Sequence, residues 1–587
     1  MQSDGNAGKY IAKIANSITA FTERVESIKG KKLEIIVLLL FAVTHILMML
    51  VHEPWFDEAL AWLIAKDSSL HEILFTAPHY EGHPALWHLV LLPFAKLGAP
   101  YELSLNMISL IFSGTAMMLV IYKSQFKRII RLLIPFTYFV FYQYSVVSRP
   151  YCMMVLAMAL VAVTYKNRDI KPGKFVISLI FLCMTGAYGI VISGGICIAW
   201  IYCMFFESWK KSRNKNSGNG EYRGTFRIFV EEGLFAKGKI LWLILILVYA
   251  VFTIVRIIPE EDTYAAMNTE GVENSSLVFR LLYTFFGIAA DSFVTNTFSE
   301  TRALSSVVIP VQDLVIGTIV GLIIIVSVIW FSKKKSAIVE FLIPYILLSS
   351  FMAVVYLFNT HIGIMFVFLG FWFWVLSEKK DSDQSKTRTL KGKKFNRDGS
   401  NSLQVIKNTG VLLLTFAFFM LLYWNISSCI CDIIYDYGSG RGEYEFLKEN
   451  GLEKEMILPE WTILNAETDR GSYFLSKDGV SIAPYLDRGT LLISPDVMGY
   501  SYVYTHKMIA DSDMNAQGEK IMNSGMPKVL LGNPDLQSIY HNKNINIGDF
   551  TKVFEKRSSV IFKGVPGPDS SVLYVLNSIA EEKGLAH

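Results

Sequence analysis

Long apolar runs alternate with short polar connectors along most of this chain. The runs 33–51, 239–255, 313–331 and 409–424 each approach the roughly 20 residues that an α-helix needs to cross about 30 Å of hydrocarbon. One such run could be a buried core helix, but so many in one chain predict a polytopic α-helical membrane protein. About thirty ordinary residues precede the first run and no small-residue cleavage site follows it, so we expect an anchor rather than a signal peptide.

One apolar stretch, 84–98, does not fit this pattern of crossings. It is only about 15 residues long and contains Pro93, which removes a helix hydrogen bond. If it crossed the membrane, connectors rich in Lys and Arg would fall outside, against the positive-inside rule. We therefore predict a re-entrant or in-plane helix here. All the basic connectors then face the cytoplasm together, and these are 123–128, 166–174, 210–227, 333–335 and 379–397.

The remaining apolar runs predict about eleven crossings. Because the N-terminus is expected in the cytoplasm, this odd number places the C-terminus outside. The expected spans are approximately 33–52, 102–122, 129–147, 150–165, 175–190, 192–207, 239–258, 312–331, 337–357, 363–376 and 408–428.

The composition changes near residue 432. Short β-rich runs punctuated by Gly, Pro, Asn and Asp follow, and the stretch 442–450 is typical of a helix. We therefore expect an extracytoplasmic α/β domain, in which no glycine-rich phosphate loop or zinc signature is visible. The predicted organisation is a cytoplasmic segment 1–32, a transmembrane domain 33–431 with a first outer loop 53–101 and basic cytoplasmic loops 208–238 and 377–407, and the outer domain 432–587.

Composition narrows the class of protein and of partner. Hydrophobic residues make up 52% of the chain and charged residues 18%, which is far from a soluble protein of this length. The basic connectors alternate with membrane spans, a pattern that argues against a nucleic-acid-binding tail. The 6 cysteines lie in or beside apolar runs without disulfide or metal-ligand spacing. These features fit the plasma membrane of a bacterium, with the lipid bilayer as a partner.

An acid pair, Asp57 and Glu58, follows the first predicted span in the sequence "WFDEALAWLIAK". A charged side chain costs about 2.5–3.5 kcal/mol at the membrane centre, so charges beside spans usually pair or take part in function. Helical spacing puts Asp57, Ala61 and Ala65 on one face, so we expect this helix to lie on the membrane with Asp57 turned away from lipid. The alternative is N-terminal capping of the helix, which suits Glu58 better than Asp57.

Further polar residues join the acid pair on the predicted outer surface. Arg149 in "VVSRPY" places a guanidinium at a span end, where it suits bidentate binding of a phosphate or snorkels to the interface. A carboxylate can act as a general base, and acids or histidines can position an acceptor or a metal. The pattern predicts a lipid phosphate carrying a transferable group as the substrate. The other candidates are Glu81 and His83 in "HYEGHPALWH", Tyr151 after Arg149, and His361 in "FNTHIG", with interface hydrogen bonding as the alternative for both histidines.

Three elements in order resemble the GT-C superfamily of membrane glycosyltransferases, over roughly residues 30–380. They are the acid pair after the first span, "EGHP" at the start of the re-entrant helix, and "SRPY" at the start of a later span. The branch they resemble contains the protein O-mannosyltransferases and the lipid A aminoarabinose transferases. The resemblance implies transfer of a sugar, with inversion, from a polyprenyl-phosphate donor to an extracytoplasmic acceptor. It implies a catalytic role for Asp57, an acceptor or metal region lined by Glu58, Glu81 and His83, and a donor phosphate near Arg149 and His361, with Tyr151 binding either the acceptor or the donor.

Several points stay open at this stage. "EGHP" lacks the lysine of the aminoarabinose enzymes, and the C-terminal domain does not resemble a β-trefoil, so the acceptor can be a cell-envelope glycan, a lipid or a protein. Some superfamily members use a divalent metal and others do not. A transporter or flippase of lipid-linked sugars is an alternative that needs the arginine but no base, although the repeated halves typical of transporters are not visible. A non-catalytic envelope scaffold is another, and it would tolerate Asp57→Asn.

Overall fold

The computed structural model of this protein describes most of the chain. The described residues are 4–215, 224–263, 275–300, 304–379, 397–459, 472–473, 477–492, 501–509, 523, 525–532, 545–567 and 569–585. Residues 216–223 and 380–396 of the two predicted cytoplasmic loops therefore lie outside the described residues, as do several segments of the predicted C-terminal domain.

Helices account for most of the described chain. The α-helices, in chain order, are α1 Asp4–Ser27, α2 Lys32–Met49, α3 Phe56–Asp67, α4 Ala77–Glu81, α5 Leu86–Lys96, α6 Tyr101–Lys123, α7 Arg128–Leu133, α8 Tyr151–Tyr165, α9 Pro172–Cys183, α10 Ala187–Lys215, α11 Thr225–Ile228, α12 Lys239–Ile257, α13 Leu277–Leu282, α14 Ile288–Asp291, α15 Val311–Lys334, α16 Ile338–Val354, α17 Ile362–Glu378, α18 Arg397–Tyr435, α19 Gly440–Glu449, α20 Lys477–Ile482 and α21 Asn577–Glu582. Wider π-helical turns occur at Glu72–Thr76, Phe139–Val146, Phe229–Leu234 and Tyr283–Gly287.

Within the described residues, 8 helical segments are long and apolar enough to cross a membrane. They are Lys32–Met49, Tyr101–Lys123, Arg128–Val146, Ala187–Arg213, Ala236–Ile257, Val311–Lys334, Asn359–Glu378 and Lys407–Glu449. These segments confirm a polytopic helical membrane protein. The shorter helices α8, α9 and α16 stand where the sequence predicts crossings at 150–165, 175–190 and 337–357, so the count of about eleven stays a prediction.

Helix α5 occupies the stretch that the sequence separates from the other crossings. It has 11 residues and contains Pro93. At about 1.5 Å per residue it is about 16 Å long, which is too short to cross a bilayer. A helix of this length agrees with a re-entrant or in-plane element.

Small residues allow the long helices to approach closely. A Cβ atom added to Gly195 of α10 would lie 2.5 Å from Cα of Pro344 in α16. Only glycine permits this contact between the two backbones, which is a common device in membrane helix packing. The neighbouring Gly194 faces open space, so the two glycines differ in what they do.

The C-terminal region, residues 440–585, contains the sheet. The strands are β1 Ile457–Pro459, β2 Ser472–Tyr473, β3 Met508–Ile509, β4 Val529–Leu531, β5 Phe550–Ser558, β6 Ile561–Phe562, β7 Val565–Pro566 and β8 Asp569–Leu576. Four of them form a sheet in the order β1-β4-β8-β5, in which β1 and β4 are parallel and the other pairs antiparallel. The pairs β2–β3 and β6–β7 are separate antiparallel ladders.

The C-terminal region shares a hydrophobic core with the first loop, residues 53–101. Phe56 and Leu60 of α3 belong to the same buried cluster as Ile482, Val529 and Leu573. The apolar residues of α3 are buried by α5 and the C-terminal region rather than by lipid, and the expectation that α3 lies on the membrane with Asp57 turned away from lipid stays a prediction. The sequence pattern could not show this, because a helix buried by protein and one resting on lipid have similar apolar faces.

Charged contacts hold the same two parts together. The Arg441 guanidinium donates to both carboxylate oxygens of Glu102, at 2.8 and 2.7 Å, and its backbone N–H donates to Glu53 at 2.6 Å. Lys556 donates to the other oxygen of Glu53 at 2.9 Å, and Tyr485 donates to Glu102. Glu53 is buried, so these partners satisfy a carboxylate that has lost its water.

Candidate active site

The central contact of the candidate site joins a residue of α3 to a residue of the turn before α8. Nη1 of Arg149 lies 2.9 Å from Oδ2 of Asp57. Asp57 stands in the first turn of α3, and Arg149 stands in the turn between the π-helical segment Phe139–Val146 and α8. Their side chains are 26% and 18% exposed, so this ion pair is sheltered but open to a ligand.

Glu58 fixes the turn that carries Arg149. Its Oε1 accepts a hydrogen bond from the backbone N–H of Ser148 at 2.7 Å, and its Oε2 accepts one from the N–H of Trp55 at 3.1 Å. The Ser148 hydroxyl in turn donates to Asn106 at 2.9 Å. Glu58 thus caps the N-terminus of α3, which was the alternative role expected from the sequence. It also supports the neighbouring turn.

Tyr151 and His361 form a second buried pair beside Arg149. Nδ1 of His361 accepts from the backbone N–H of Phe358 at 3.1 Å, so neutral His361 carries its proton on Nε2 and donates it to the Tyr151 hydroxyl at 2.6 Å. The Tyr151 hydroxyl then keeps its own proton for another acceptor. The Arg149 guanidinium lies over the Tyr151 ring, 5.4 Å from its centroid.

Glu81 and His83 lie near the ion pair and act on it through their charges. Oε1 of Glu81 is 2.9 Å from Nδ1 of His506, a residue of the C-terminal region. Nδ1 of His83 is buried and has no hydrogen-bond partner in the part of the chain that the structure describes. Burial, together with the nearby positive charge of Arg149, lowers the pKa of His83 to about 4, so this ring is neutral at physiological pH.

The charges of the site act on one another. Burial raises the pKa of Asp57, and the nearby Arg149 guanidinium offsets this only in part, while the charge of Glu81 adds to the rise. For Glu81, burial also favours the neutral acid, but the charge and hydrogen bond of His506 lower the pKa below its ordinary value. Asp57 is therefore the better proton acceptor of the two, and Glu81 is the more firmly ionised.

The structure brings most of the predicted residues together. Asp57, Arg149, Tyr151 and His361 form a continuous chain of contacts, while Glu58 lies behind it. Glu81 and His83 interact with these four residues through charge rather than direct contact. The charge of Glu81 acts on Asp57, and that of Arg149 acts on His83. Among the described residues, no group of three or more His, Cys, Asp or Glu side chains is arranged to hold a metal ion.

Three contributors were missed by the sequence argument. His52 and Asp432 are buried and in contact behind the site, and His506 reaches it from the C-terminal region. A signal existed for Asp432, a lone acid following the last apolar run, since such charges are costly unless paired. Nothing around His506, in "YTHKM", distinguishes it from an ordinary loop histidine.

Comparison with known proteins adds no family to these observations. No protein-family model, no curated protein and no solved structure matches this chain. The resemblance to the GT-C superfamily thus stays a prediction, based on the acid pair and the "EGHP" and "SRPY" elements alone. In the structure, Asp57 of the first element and Arg149 of the third are in direct contact.

Proposed function

We propose that this chain is a GT-C-type glycosyltransferase of the bacterial plasma membrane. It takes a sugar from a polyprenyl-phosphate donor and transfers it, with inversion, to an acceptor on the extracytoplasmic side. The observation that carries the proposal is the sheltered ion pair of Asp57 and Arg149, which puts a carboxylate base beside a phosphate-binding guanidinium at one end of the helices.

The proposed topology has about eleven crossings, a cytoplasmic N-terminus and an extracytoplasmic C-terminal α/β domain. Ion pairs at the ends of the helices support it. Residues predicted to face the cytoplasm pair with one another: Arg168 with Glu340 at 2.6 Å, and Lys239 with Asp169 at 2.9 Å. Asp57 and Arg149, both predicted outside, pair in the same way.

The resting ion pair suggests how the donor engages. The phosphate offers Arg149 its two non-bridging oxygens in the bidentate geometry that guanidinium prefers, and the Tyr151 hydroxyl has a proton to donate to the same group. When Arg149 turns to the phosphate, the Asp57 carboxylate is released. Asp57 then loses its cation while it stays sheltered, which strengthens it as a base.

Transfer then proceeds in one displacement. The acceptor hydroxyl oxygen bonds to the anomeric carbon from the face opposite the phosphate, and the bond from that carbon to the phosphate oxygen breaks. The electron pair of that bond leaves with the polyprenyl phosphate, and Asp57 takes the hydroxyl proton. Glu81 and His83 border the acceptor side, while Glu58 holds the Ser148 turn and touches neither substrate.

The test uses purified protein in lipid nanodiscs with a panel of polyprenyl-phosphate sugars and extracted cell-envelope acceptors. Donor consumption and release of lipid phosphate are followed by mass spectrometry. We expect turnover by the wild type and a loss of about 10²–10⁴-fold in Asp57→Asn. The matched control is Asp313→Asn in the first turn of α15, which should retain full activity. Equal turnover by Asp57→Asn and wild type would remove Asp57 as the base, and movement of intact donor across the bilayer without cleavage would favour a flippase.

A further inference from the structure

Three separate segments of the chain meet beside Glu81. Lys507 of the C-terminal region forms a backbone bridge with Thr263 and an ion pair with Asp262 at 3.2 Å. Tyr80, next to Glu81, donates to Asp262 at 2.9 Å, and its ring lies 5.2 Å from that of Tyr504. Helix α4, the segment after α12 and the C-terminal region are thus joined at one place.

This junction positions His506 against the site. Its Nδ1 lies 2.9 Å from Oε1 of Glu81, and its ring meets the edge of Phe56, the residue before Asp57. The titratable groups that face His506 are Glu81 on α4, Asp57 on α3 and His83 beyond α4. Both partners of the Glu81–His506 contact are largely sheltered from water, which makes the charge-assisted hydrogen bond between them strong.

We propose that His506 is a positioning residue of the transfer reaction: it holds the Glu81 carboxylate in its ionised form and orientation, so that the C-terminal region completes the acceptor side of the site. This inference rests on the proposed glycosyltransferase function. It gives the C-terminal region a part in the reaction beyond covering α3.

His506 also affects the pKa values of the two carboxyl groups near it. Burial opposes a charge on His506, but the Glu81 carboxylate raises the pKa of the imidazole above its ordinary value and His506 lowers the pKa of Glu81, so each partner favours the charged form of the other. The imidazolium also lowers the pKa of Asp57. Removing it leaves Glu81 without its cation and raises the pKa of both carboxyl groups, so the base becomes protonated at higher pH.

The experiment measures kcat, donor KM and the pH profile of kcat/KM in nanodiscs, with the polyprenyl-phosphate sugar that the wild type consumes. We expect His506→Gln to lower kcat by about 10²-fold, the scale of a misplaced reacting group, with little change in donor KM. The acidic limb of its kcat/KM profile, where activity falls because the base becomes protonated, should move to higher pH. Glu81→Gln should lose a similar factor, and the double variant should lose little more than either single variant.

Two controls separate positioning from folding. His71→Gln changes an exposed histidine of the first loop, whose ring centroid lies 5.0 Å from that of Phe75. Lys528→Ala removes an ion pair with Glu455 elsewhere in the C-terminal region and leaves the junction intact. Both should leave the acidic limb in place. If His506→Gln keeps the wild-type kcat and acidic limb, or loses activity only in proportion to lost folded protein, the inference is wrong while the function stands. If the wild type consumes no polyprenyl-phosphate sugar at all, the function and the inference fall together.

Discussion

Nδ1 of His52 lies 2.8 Å from Oδ2 of Asp432, although 380 residues separate the two in the chain. Both side chains are fully buried, and Nε2 of His52 faces Glu58 at 3.5 Å. Burial opposes a charge on the imidazole, but the carboxylates of Asp432 and Glu58 raise the pKa of His52 to about 10. A charged histidine therefore ties the end of α2 to α3 and to the last long helix, directly behind the turn that carries Arg149.

Asp432→Asn should destabilise the protein strongly. The substitution keeps the shape of the side chain but leaves the buried His52 with one carboxylate instead of two. Breaking a buried ion pair in this way typically costs about 3–5 kcal/mol. The check is thermal unfolding in detergent, with Asp436→Asn as the control, because Asp436 is 39% exposed and its ion pair with Lys556 is worth little. Equal unfolding temperatures for the two variants would show that the buried charge is not needed.

Stability should fall as the pH rises above neutrality. An ordinary histidine has a pKa of about 6.5, whereas folded His52 has one of about 10, so between these values the folded protein binds a proton that the unfolded chain does not. The contribution is complete below about pH 6.5, declines as pH increases, and is gone above about pH 10. Unfolding temperatures between pH 6 and 10.5 should fall more steeply for the wild type than for His52→Gln. Parallel curves would mean that His52 is neutral in the folded protein.

Arg149→Lys should weaken donor binding more than it slows the chemical step. Lysine keeps the positive charge beside Asp57 but cannot offer the planar fork that matches a phosphate. A lost hydrogen bond to a charged group is worth about 1.5–3 kcal/mol, so the donor KM should rise about tenfold to a hundredfold. Steady-state kinetics over a range of donor concentrations measures this. An unchanged KM would place the phosphate elsewhere. Arg131→Lys, at the other end of the helices, serves as the control.

Gly195→Ala should destabilise the helix bundle, and Gly194→Ala should not. A methyl group on Gly195 would lie 2.5 Å from the backbone of Pro344, whereas nothing lies within 4 Å of the equivalent position on Gly194. Overpacking of this kind costs about 1–3 kcal/mol, while alanine in open space at a helical position is neutral or slightly favourable. Thermal unfolding of the two variants compares them directly. Similar behaviour would show that α10 and α16 can separate without loss.

The sequence predicted the features that depend on local pattern. Apolar runs located the long helices, and a short run with Pro93 indicated that α5 differs from them. The placement of the basic connectors predicted that Asp57 and Arg149 lie at the same membrane face, but it did not predict their contact. Pairings across hundreds of residues, such as His506 with Glu81, depend on how the C-terminal region docks, and no spacing rule encodes that. The burial of α3 by protein has the same cause, because part of its cover comes from residues far along the chain.

The docking of the C-terminal region onto the first loop also has a consequence for biosynthesis. Glu53 and Glu102 leave the ribosome well before their partners Arg441 and Lys556, which lie 339 or more residues further along the chain. At about 5–20 residues per second, the 380 residues between His52 and Asp432 alone take on the order of 20–80 s. Throughout that interval the nascent chain carries acidic side chains without their cations. A chain truncated before Arg441 would keep these carboxylates without their cations.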